Sequence, residues 1–263
     1  MAERVTAVTL DTAARHPVRA VLQAGGRGQR LYPASASTPK PLLRVAGVPM
    51  IERLLRQILI AGVRDITVIT GWLGEQIQSH LETVDLPKDA TLHFIRETKP
   101  LGNIGGLTAL EPSESSVLMA FADLVTNMDF AELLRVHWKK GVDATLASHH
   151  ETYQVMLGEL VLGEGRVIGY NEKPLKQYTI CSGVAVFEPA LLAVLERGRQ
   201  YGISDLISAA IAAGFYVDHW AHDASVLDVN RSDMLELANQ ATWLDSLDQA
   251  LAEQMRSCTR PAS

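Results

Sequence analysis

The chain has 263 residues, 47% of them hydrophobic and only 6% aromatic, with a formal net charge of −6. That length suits one large α/β domain with an appendix, and the acidic balance argues against a nucleic-acid partner, whose footprint would be basic. No apolar run approaches the roughly 20 residues that span a bilayer, so no membrane partner is expected, and Cys181 and Cys258 form no disulfide framework and suit a reducing, cytoplasmic setting.

Residues 1–17 carry Glu3 and Asp11 and no apolar core, so they read as an arm or extra strand rather than a signal peptide. An apolar strand over Arg19–Gln23 then breaks into a turn containing Gly25, Gly26 and Gly28, with the cations Arg30 and Lys40 beyond it. Glycines let the backbone approach a polyphosphate and turn its amides toward it, and the cations add charge that amides lack. Two other glycine loops are excluded. A dinucleotide fingerprint needs a third glycine and an immediate helix, which Pro33, Pro39 and Pro41 forbid, and a Walker A loop needs a terminal G-K-S/T. On glycine spacing alone a plain tight turn remains open; Arg30, Lys40 and the Pro-Lys-Pro favour phosphate.

Beyond Pro49 the spacing of Ile51, Leu54, Leu55, Ile58 and Leu59 predicts a helix over 50–61, stopped by Gly62. Asp65–Thr70 is a buried strand, 73–81 a helix, Leu92–Ile95 a strand, and Val117–Phe121 a strand ending near Asp123. Phe130–Lys140 is a helix capped by Asp129, and Val142–Ala147 is again strand. Strand-like segments follow at Leu157–Leu162, Arg166–Asn171 and Thr179–Phe187. Then come a helix from Glu188, a second capped by Ser204, a last strand over Tyr216–Ala221, one amphipathic helix over 232–255, and a frayed tail over 256–263. The apolar face of that last helix can be covered by the core or by a second copy in a homo-oligomer.

Strands alternating with helices imply a doubly wound, mostly parallel mixed sheet with a C-terminal helix, an α/β fold whose ligands sit beyond the strands' carboxyl ends. The glycine loop and Asp123 both lie at such ends. Taken alone, an Asp after a strand is more often a cap or turn former. The pairs His149-His150 and His219…His222 lack zinc-site spacing and read as surface or strand residues, and Trp72, Trp138, Trp220 and Trp243 read as packing.

The run from Gly26 to Pro33, continued by Lys40-Pro-Leu-Leu-Arg-Val-Ala-Gly-Val-Pro49, resembles the signature of the sugar-1-phosphate nucleotidylyltransferases, G-x-G-T/S-R-L-x-P then K-P-L-L-x-V-x-G-x-P. Gln29 stands where Thr or Ser is usual. The resemblance implies a Rossmann-like nucleotidyltransferase domain over 18–231, with an NTP half at 18–150 and a sugar-phosphate half at 151–231, then a C-terminal helix and tail at 232–263. It implies nucleotide contacts from Gln23, Ala24, Gly25, Gly26, Gly28, Gln29, Gly102 and Asn103, the last two in Leu101-Gly-Asn-Ile-Gly-Gly-Leu107. Asp123 and Asp228 would jointly hold Mg²⁺, a cation that prefers carboxylates with phosphates completing its shell. Glu172-Lys173-Pro174 matches E-K-P, which implies Glu172 on sugar hydroxyls and Lys173 on the sugar phosphate, with Gly158 and Gly183 beside the sugar. Gln154–Gly158 and Cys181-Ser-Gly183 depart from the family pattern on that acceptor side.

The implied reaction joins an NTP and a sugar-1-phosphate or cyclitol phosphate into an NDP-sugar plus pyrophosphate, with Arg30, Lys40 and Lys173 as the catalytic cations. The phosphate monoester is already largely a dianion at neutral pH, so no general base is needed. Within the family the chain is most similar to the guanylyltransferase branch, which favours GTP. Uridylyl transfer to an amino sugar phosphate and a non-catalytic nucleotide-sugar-binding regulatory subunit stay open.

Overall fold

β1 (Val18–Ala24) opens the fold in a computed structural model that describes residues 16–259. Its Ala20, Val21 and Leu22 are fully buried, as a strand with core on both faces requires. Beyond the glycine loop, β2 (Arg44–Val45) and β3 (Val48–Pro49) pair as a small hairpin that feeds α1 (Met50–Ile60). Ile51, Leu54, Leu55, Ile58 and Leu59 share one face of α1 and are all buried, each stabilising by about 1.5–3 kcal/mol. Next come β4 (Asp65–Thr70), α2 (Gly74–Leu81), β5 (Thr91–Arg96), β6 (Ser116–Phe121), β7 (Leu124–Thr126) and α3 (Phe130–Lys140). Asp129 caps α3, its Oδ1 accepting from the Glu132 amide at 3.0 Å. The second half holds β8 (Ala144–Gln154), β9 (Glu159–Gly163), β10 (Arg166–Asn171), β11 (Leu175–Phe187), α4 (Pro189–Leu192), α5 (Ile203–Ala212), β12 (Val217–Ala221), β13 (Val226–Asp228), α6 (Ser232–Asn239) and α7 (Trp243–Thr259).

Seven strands form one sheet in the order β12-β8-β11-β6-β1-β4-β5. β6, β1, β4 and β5 run parallel, β12 is parallel to β8, and β11 alone runs antiparallel between β6 and β8. The mostly parallel mixed sheet expected from the sequence is therefore present. Alternation along the strands divides the core. Leu22, Leu118, Ala120 and Val186 pack with α1, α2 and α3, whereas Val21, Met119, Ala185 and Phe187 pack with Leu206 and Ala210 of α5. A third cluster gathers Leu31, Val45, Met50, Val125, Val229 and Leu244 beneath α6 and α7.

Several expectations are corrected. The helix expected over 232–255 is two helices separated at 240–242, and Arg256–Thr259 belongs to α7 rather than to a frayed tail. The cap of α5 is Gly202, whose amide donates to Asp205 Oδ2 at 2.7 Å, so Ser204 lies inside the helix. β13 follows the strand read as the last, and β8 runs seven residues beyond Ala147 because it pairs with β11 to its tip. Of the expected arm, residues 1–15 lie outside the described residues; the His16 ring stacks on Trp138 at 5.0 Å. The apolar face of α7 is covered by the core: Leu244, Leu251 and Met255 are buried, and Asp248 clasps Arg53 of α1. No described helix is long and apolar enough to cross a membrane.

Candidate active site

Four adjacent parallel strands end on one rim, and a cavity of about 780 Å³ opens there. β1 delivers Gly25, Gly26, Arg27, Gly28, Gln29 and Arg30; β4 delivers Gly71 and Trp72; β5 delivers Glu97, Thr98, Lys99 and Pro100; β6 delivers Asp123. The loops cross closely: a Cβ on Gly71 would stand 2.6 Å from the Gly25 carbonyl oxygen. Gly28 adopts left-handed φ 61, and the Ser35 hydroxyl donates to its carbonyl at 2.7 Å. Buried Leu31 anchors the following 3-10 turn, and a second 3-10 turn over Lys40–Leu42 brings Lys40 to the cavity wall.

Asp123 and Asp228 meet because β13 pairs antiparallel with β7, placing Asp228 opposite Leu124. The Lys40 ammonium reaches both acids, at 2.5 Å from Asp123 Oδ2 and 3.8 Å from Asp228 Oδ1. Asn230 Nδ2 donates to the other oxygen of Asp228 at 2.7 Å. Burial, and then the Asp123 charge, push the Asp228 carboxyl above the usual aspartate range. Among the described residues no three His, Cys, Asp or Glu side chains group as metal ligands, so the protein's offer to a cation here is this carboxylate pair. Hard oxygens from two acids, with room for phosphates, fit Mg²⁺.

Glu97 occupies the slot between Gly25 and Gly106, where an added Cβ at either glycine would press on its carboxylate. Burial raises its carboxyl, and a backbone hydrogen bond from Leu101 lowers it to a lesser degree. The Arg27 guanidinium lies over the Trp72 ring, 5.0 Å from its centroid. Trp72 is thus part of the cavity wall under a cation, and not only the packing residue expected.

The cavity gathers Gly25, Gly26, Gly28, Gln29, Arg30, Lys40, Gly102, Asp123 and Asp228. Its wall does not include Gln23, Ala24, Asn103, Gly158, Glu172, Lys173 or Gly183. Ala24 is buried in the core, and Gln23 turns an amide inward whose Nε2 has no partner. Asn103 is engaged elsewhere, its Oδ1 accepting from the Ile203 amide at 2.9 Å at the start of α5. Glu172 and Lys173 are exposed in the turn after β10, with Lys173 at φ 44, and Gly158 lies against the Tyr170 ring. Gly183, at φ 76 in a β11 bulge, sits over Phe121, two residues before Asp123, and so lies beside the rim. Sequence reasoning missed Arg27, Glu97, Lys99 and Asn230. The strand-end rule that singled out Asp123 points equally to Trp72 after β4 and Glu97 after β5.

Beside the Gly183 bulge, residues from β8, β11 and the segment between β12 and β13 form a hydrogen-bonded chain, and one assignment of protons satisfies it. The Ala224 amide donates to His222 Nδ1 at 3.2 Å and His222 Nε2 to Ser182 Oγ at 2.9 Å. Ser182 in turn donates to His149 Nδ1 at 2.8 Å, and His149 Nε2 to Glu151 at 3.0 Å. Burial and the nearby His149 push His222 below the usual histidine range.

The family model described as nucleotidyl transferase matches residues 19–245. The chain belongs to this nucleotidyl transferase family. Mannose-1-phosphate guanylyltransferase catalytic subunit beta of Drosophila melanogaster is 29% identical over 185 residues, covering 68% of this chain and 50% of that one. Mannose-1-phosphate guanylyltransferase of Mycobacterium tuberculosis is 28% identical over 205 residues, covering 76% and 57%. This nucleotidyl transferase chain spans about half the length of the curated relatives it matches. Among solved structures, HddC from Yersinia pseudotuberculosis has a TM-score of 0.63 at 18% identity over 85% of this chain and 98% of that one. UDP-glucose pyrophosphorylase from Acinetobacter baumanii has a TM-score of 0.62 at 19% identity over 89% and 98%. Both share the nucleotidyl transferase fold.

Proposed function

We propose that the chain joins a nucleoside triphosphate, GTP by preference, to a sugar-1-phosphate or sugar-like cyclitol phosphate, giving an NDP-sugar and pyrophosphate. The observation that carries this reading is the convergence, on one rim, of a glycine loop, the cations Arg30 and Lys40, and the acids Asp123 and Asp228 around one cavity. An acceptor phosphate oxygen attacks the α-phosphorus in line, and the chief obstacle is repulsion between two polyanions. One pair of like charges 4 Å apart costs about 4 kcal/mol at an effective dielectric of 20, and several pairs meet here. Fixed positive groups offset that cost without reorganising during the reaction.

In this reading the amides of Gly25, Gly26 and Gly28, with the Gln29 side chain, cradle the triphosphate. Arg30 takes the β- and γ-phosphates and the departing pyrophosphate, and Lys40 takes the α-phosphoryl group. Lys173 holds the acceptor phosphate and Glu172 the acceptor hydroxyls, with Gly158 and Gly183 beside the ring; this half must approach the rim through the Gly183 bulge. Enzymes of this family generally use a divalent metal. Asp123 and Asp228 would hold Mg²⁺, which when bound would add positive charge beside the phosphates, and Lys40 would leave the acids for the α-phosphate.

The curated relatives named for guanylyl transfer support GTP, and so does Glu97. An ionised carboxylate only accepts hydrogen bonds, and guanine offers N1–H and the N2 amino group along one edge, whereas uracil offers one N–H between two carbonyls. Gly102 lines the same cavity, so its backbone can meet the base.

The test is pyrophosphate release across four NTPs and a panel of sugar-1-phosphates. Release that needs both substrates and is highest with GTP is expected. Nucleotide-sugar binding without release from any pair would replace catalysis by the regulatory-subunit reading.

A further inference from the structure

Arg27 lies on the same cavity wall as Arg30 and Lys40, yet the catalytic reading gives it no part. It stands between Gly26 and Gly28 of the glycine loop and is exposed. Among the described residues no acid lies within ion-pair distance of it. Several arginines away from the glycine loop are paired: Arg53 with Asp248, Arg64 with Asp89, Arg96 with Glu75. The Arg27 guanidinium rests instead over the Trp72 ring, 5.0 Å from its centroid.

Ring and cation differ in freedom. Trp72 is fixed from both sides. Gly71 before it is pressed on the Gly25 carbonyl, and Leu73 after it takes left-handed φ 54, uncommon for a residue with a Cβ. Gly74 then opens α2 so close to Thr70 that a Cβ there would stand 2.7 Å from Thr70 Oγ1. Arg27 has no such constraint, being a long side chain on an exposed loop.

The other charges show what can draw it away. Lys40 reaches Asp123 and Asp228 directly, and the Arg30 charge works against the burial and the Asp123 charge that raise Asp228. Both cations are therefore partly offset by acids. Arg27 is not. The acids follow β6 and Trp72 follows β4, on opposite flanks of the loop that follows β1. A triphosphate lying across the loop with its α-phosphate beside the acids brings its outer phosphates toward Arg27. An exposed cation–π contact is weak, whereas a guanidinium–phosphate pair is bidentate and charge-assisted, roughly twice as strong as a neutral hydrogen bond. The phosphate wins the exchange. We propose that Arg27 is a third triphosphate cation, parked on Trp72 and taken from it by the terminal phosphate of a bound NTP. This inference rests on the nucleotidyl-transfer reading and adds to it a residue that tells a triphosphate from shorter nucleotides.

Tryptophan emission of the full chain reads the exchange, because Trp72 is one of only four tryptophans. Without acceptor, GTP is expected to change the emission and GMP, which has the base but no outer phosphates, to leave it unchanged. The change should be missing in Trp72→Phe and in Arg27→Met. In pyrophosphate release, Arg27→Met should raise the KM for GTP about 10-fold and leave that for the sugar-1-phosphate unchanged, with part of the loss recovered in Arg27→Lys. An unchanged KM for GTP in Arg27→Met, with release intact, overturns the role of Arg27 and leaves the catalytic reading standing. Equal emission changes with GMP and GTP overturn it in favour of a base stacked on the Arg27–Trp72 pair. A wild-type chain that binds no GTP in calorimetry and releases no pyrophosphate removes the catalytic reading, and this inference with it.

Discussion

At Asp228, burial and the adjoining Asp123 charge disfavour the ionised carboxylate, and Lys40, Asn230 and Arg30 offset only part of that. Its folded-state pKa lies above the unfolded one. Its contribution to stability is therefore fully present below the ordinary value of 3.8 and is lost as pH rises through the raised value. Asp228→Asn is expected to melt above wild type at pH 7 to 8 by a few degrees at most, because the side chain is more than half exposed. The gap should close toward pH 4, while nucleotidyl transfer falls by about 100-fold or more; scanning fluorimetry across pH checks the first part, and a variant that melts lower throughout contradicts it. Lys173→Ala is expected to lower kcat/KM for the sugar phosphate about 10- to 100-fold with the NTP KM unchanged. Steady-state kinetics showing an unchanged acceptor kcat/KM would discard its assigned role. The glycines, Arg30, Lys40 and Asp123 were legible as residue types at motif spacing. Glu97 and Asn230 were not, since a lone polar residue after a short strand has meaning only once neighbouring strand ends are known to share a rim. Asn103 lies off the cavity wall for the converse reason: its local motif is intact, but a helix 100 residues further on engages its carbonyl oxygen.

The elements around Gly183 are tied by the chain from Ala224 through His222, Ser182 and His149 to Glu151. Ser182 is buried, and its hydroxyl both accepts and donates, so Ser182→Ala leaves two imidazole nitrogens without partners. A loss of about 1–3 kcal/mol is expected from urea titration at pH 7.5. The depressed His222 pKa gives the complementary sign: its contribution is present above the ordinary histidine value of 6.5 and is lost as pH falls through the folded value. Wild type should therefore lose stability as pH falls below the ordinary histidine value of 6.5 more steeply than Ser182→Ala. Equal slopes for the two would remove the chain as a cause. Positions 149, 182 and 222 lie too far apart in sequence for periodicity to join them. The β8–β11 ladder and the β12–β13 connection bring them together. Strands and helices with regular apolar spacing were legible to within a residue or two, as at β4, α3 and β10. The break at 240–242 was not, because apolar spacing carries on across it.

On the scale of the whole molecule, the C-terminal helix returns to pack against α1. Arg53, 1% exposed, donates to both carboxylate oxygens of Asp248 at 2.7 and 2.8 Å and to the Val45 carbonyl at 2.8 Å. Asp248→Ala leaves a buried guanidinium short of its counter-ion, and a loss of about 3 kcal/mol is expected in thermal unfolding. A change below about 0.5 kcal/mol would show the clasp to be dispensable. The order of strands and helices told the fold class, since βαβ units leave few alternatives. It did not tell that α7 returns to α1, because that depends on which surface covers which. The account as a whole rests on nucleotidyl transfer at the rim shared by β1, β4, β5 and β6. GTP labelled at the α- or the γ-phosphorus tests it most directly, in the presence of Mg²⁺ and an accepted sugar-1-phosphate. The α label should pass to the NDP-sugar and the γ label to pyrophosphate, and both transfers should vanish in Asp123→Asn; an α label that remains in GTP, or a γ label released as orthophosphate, contradicts the account.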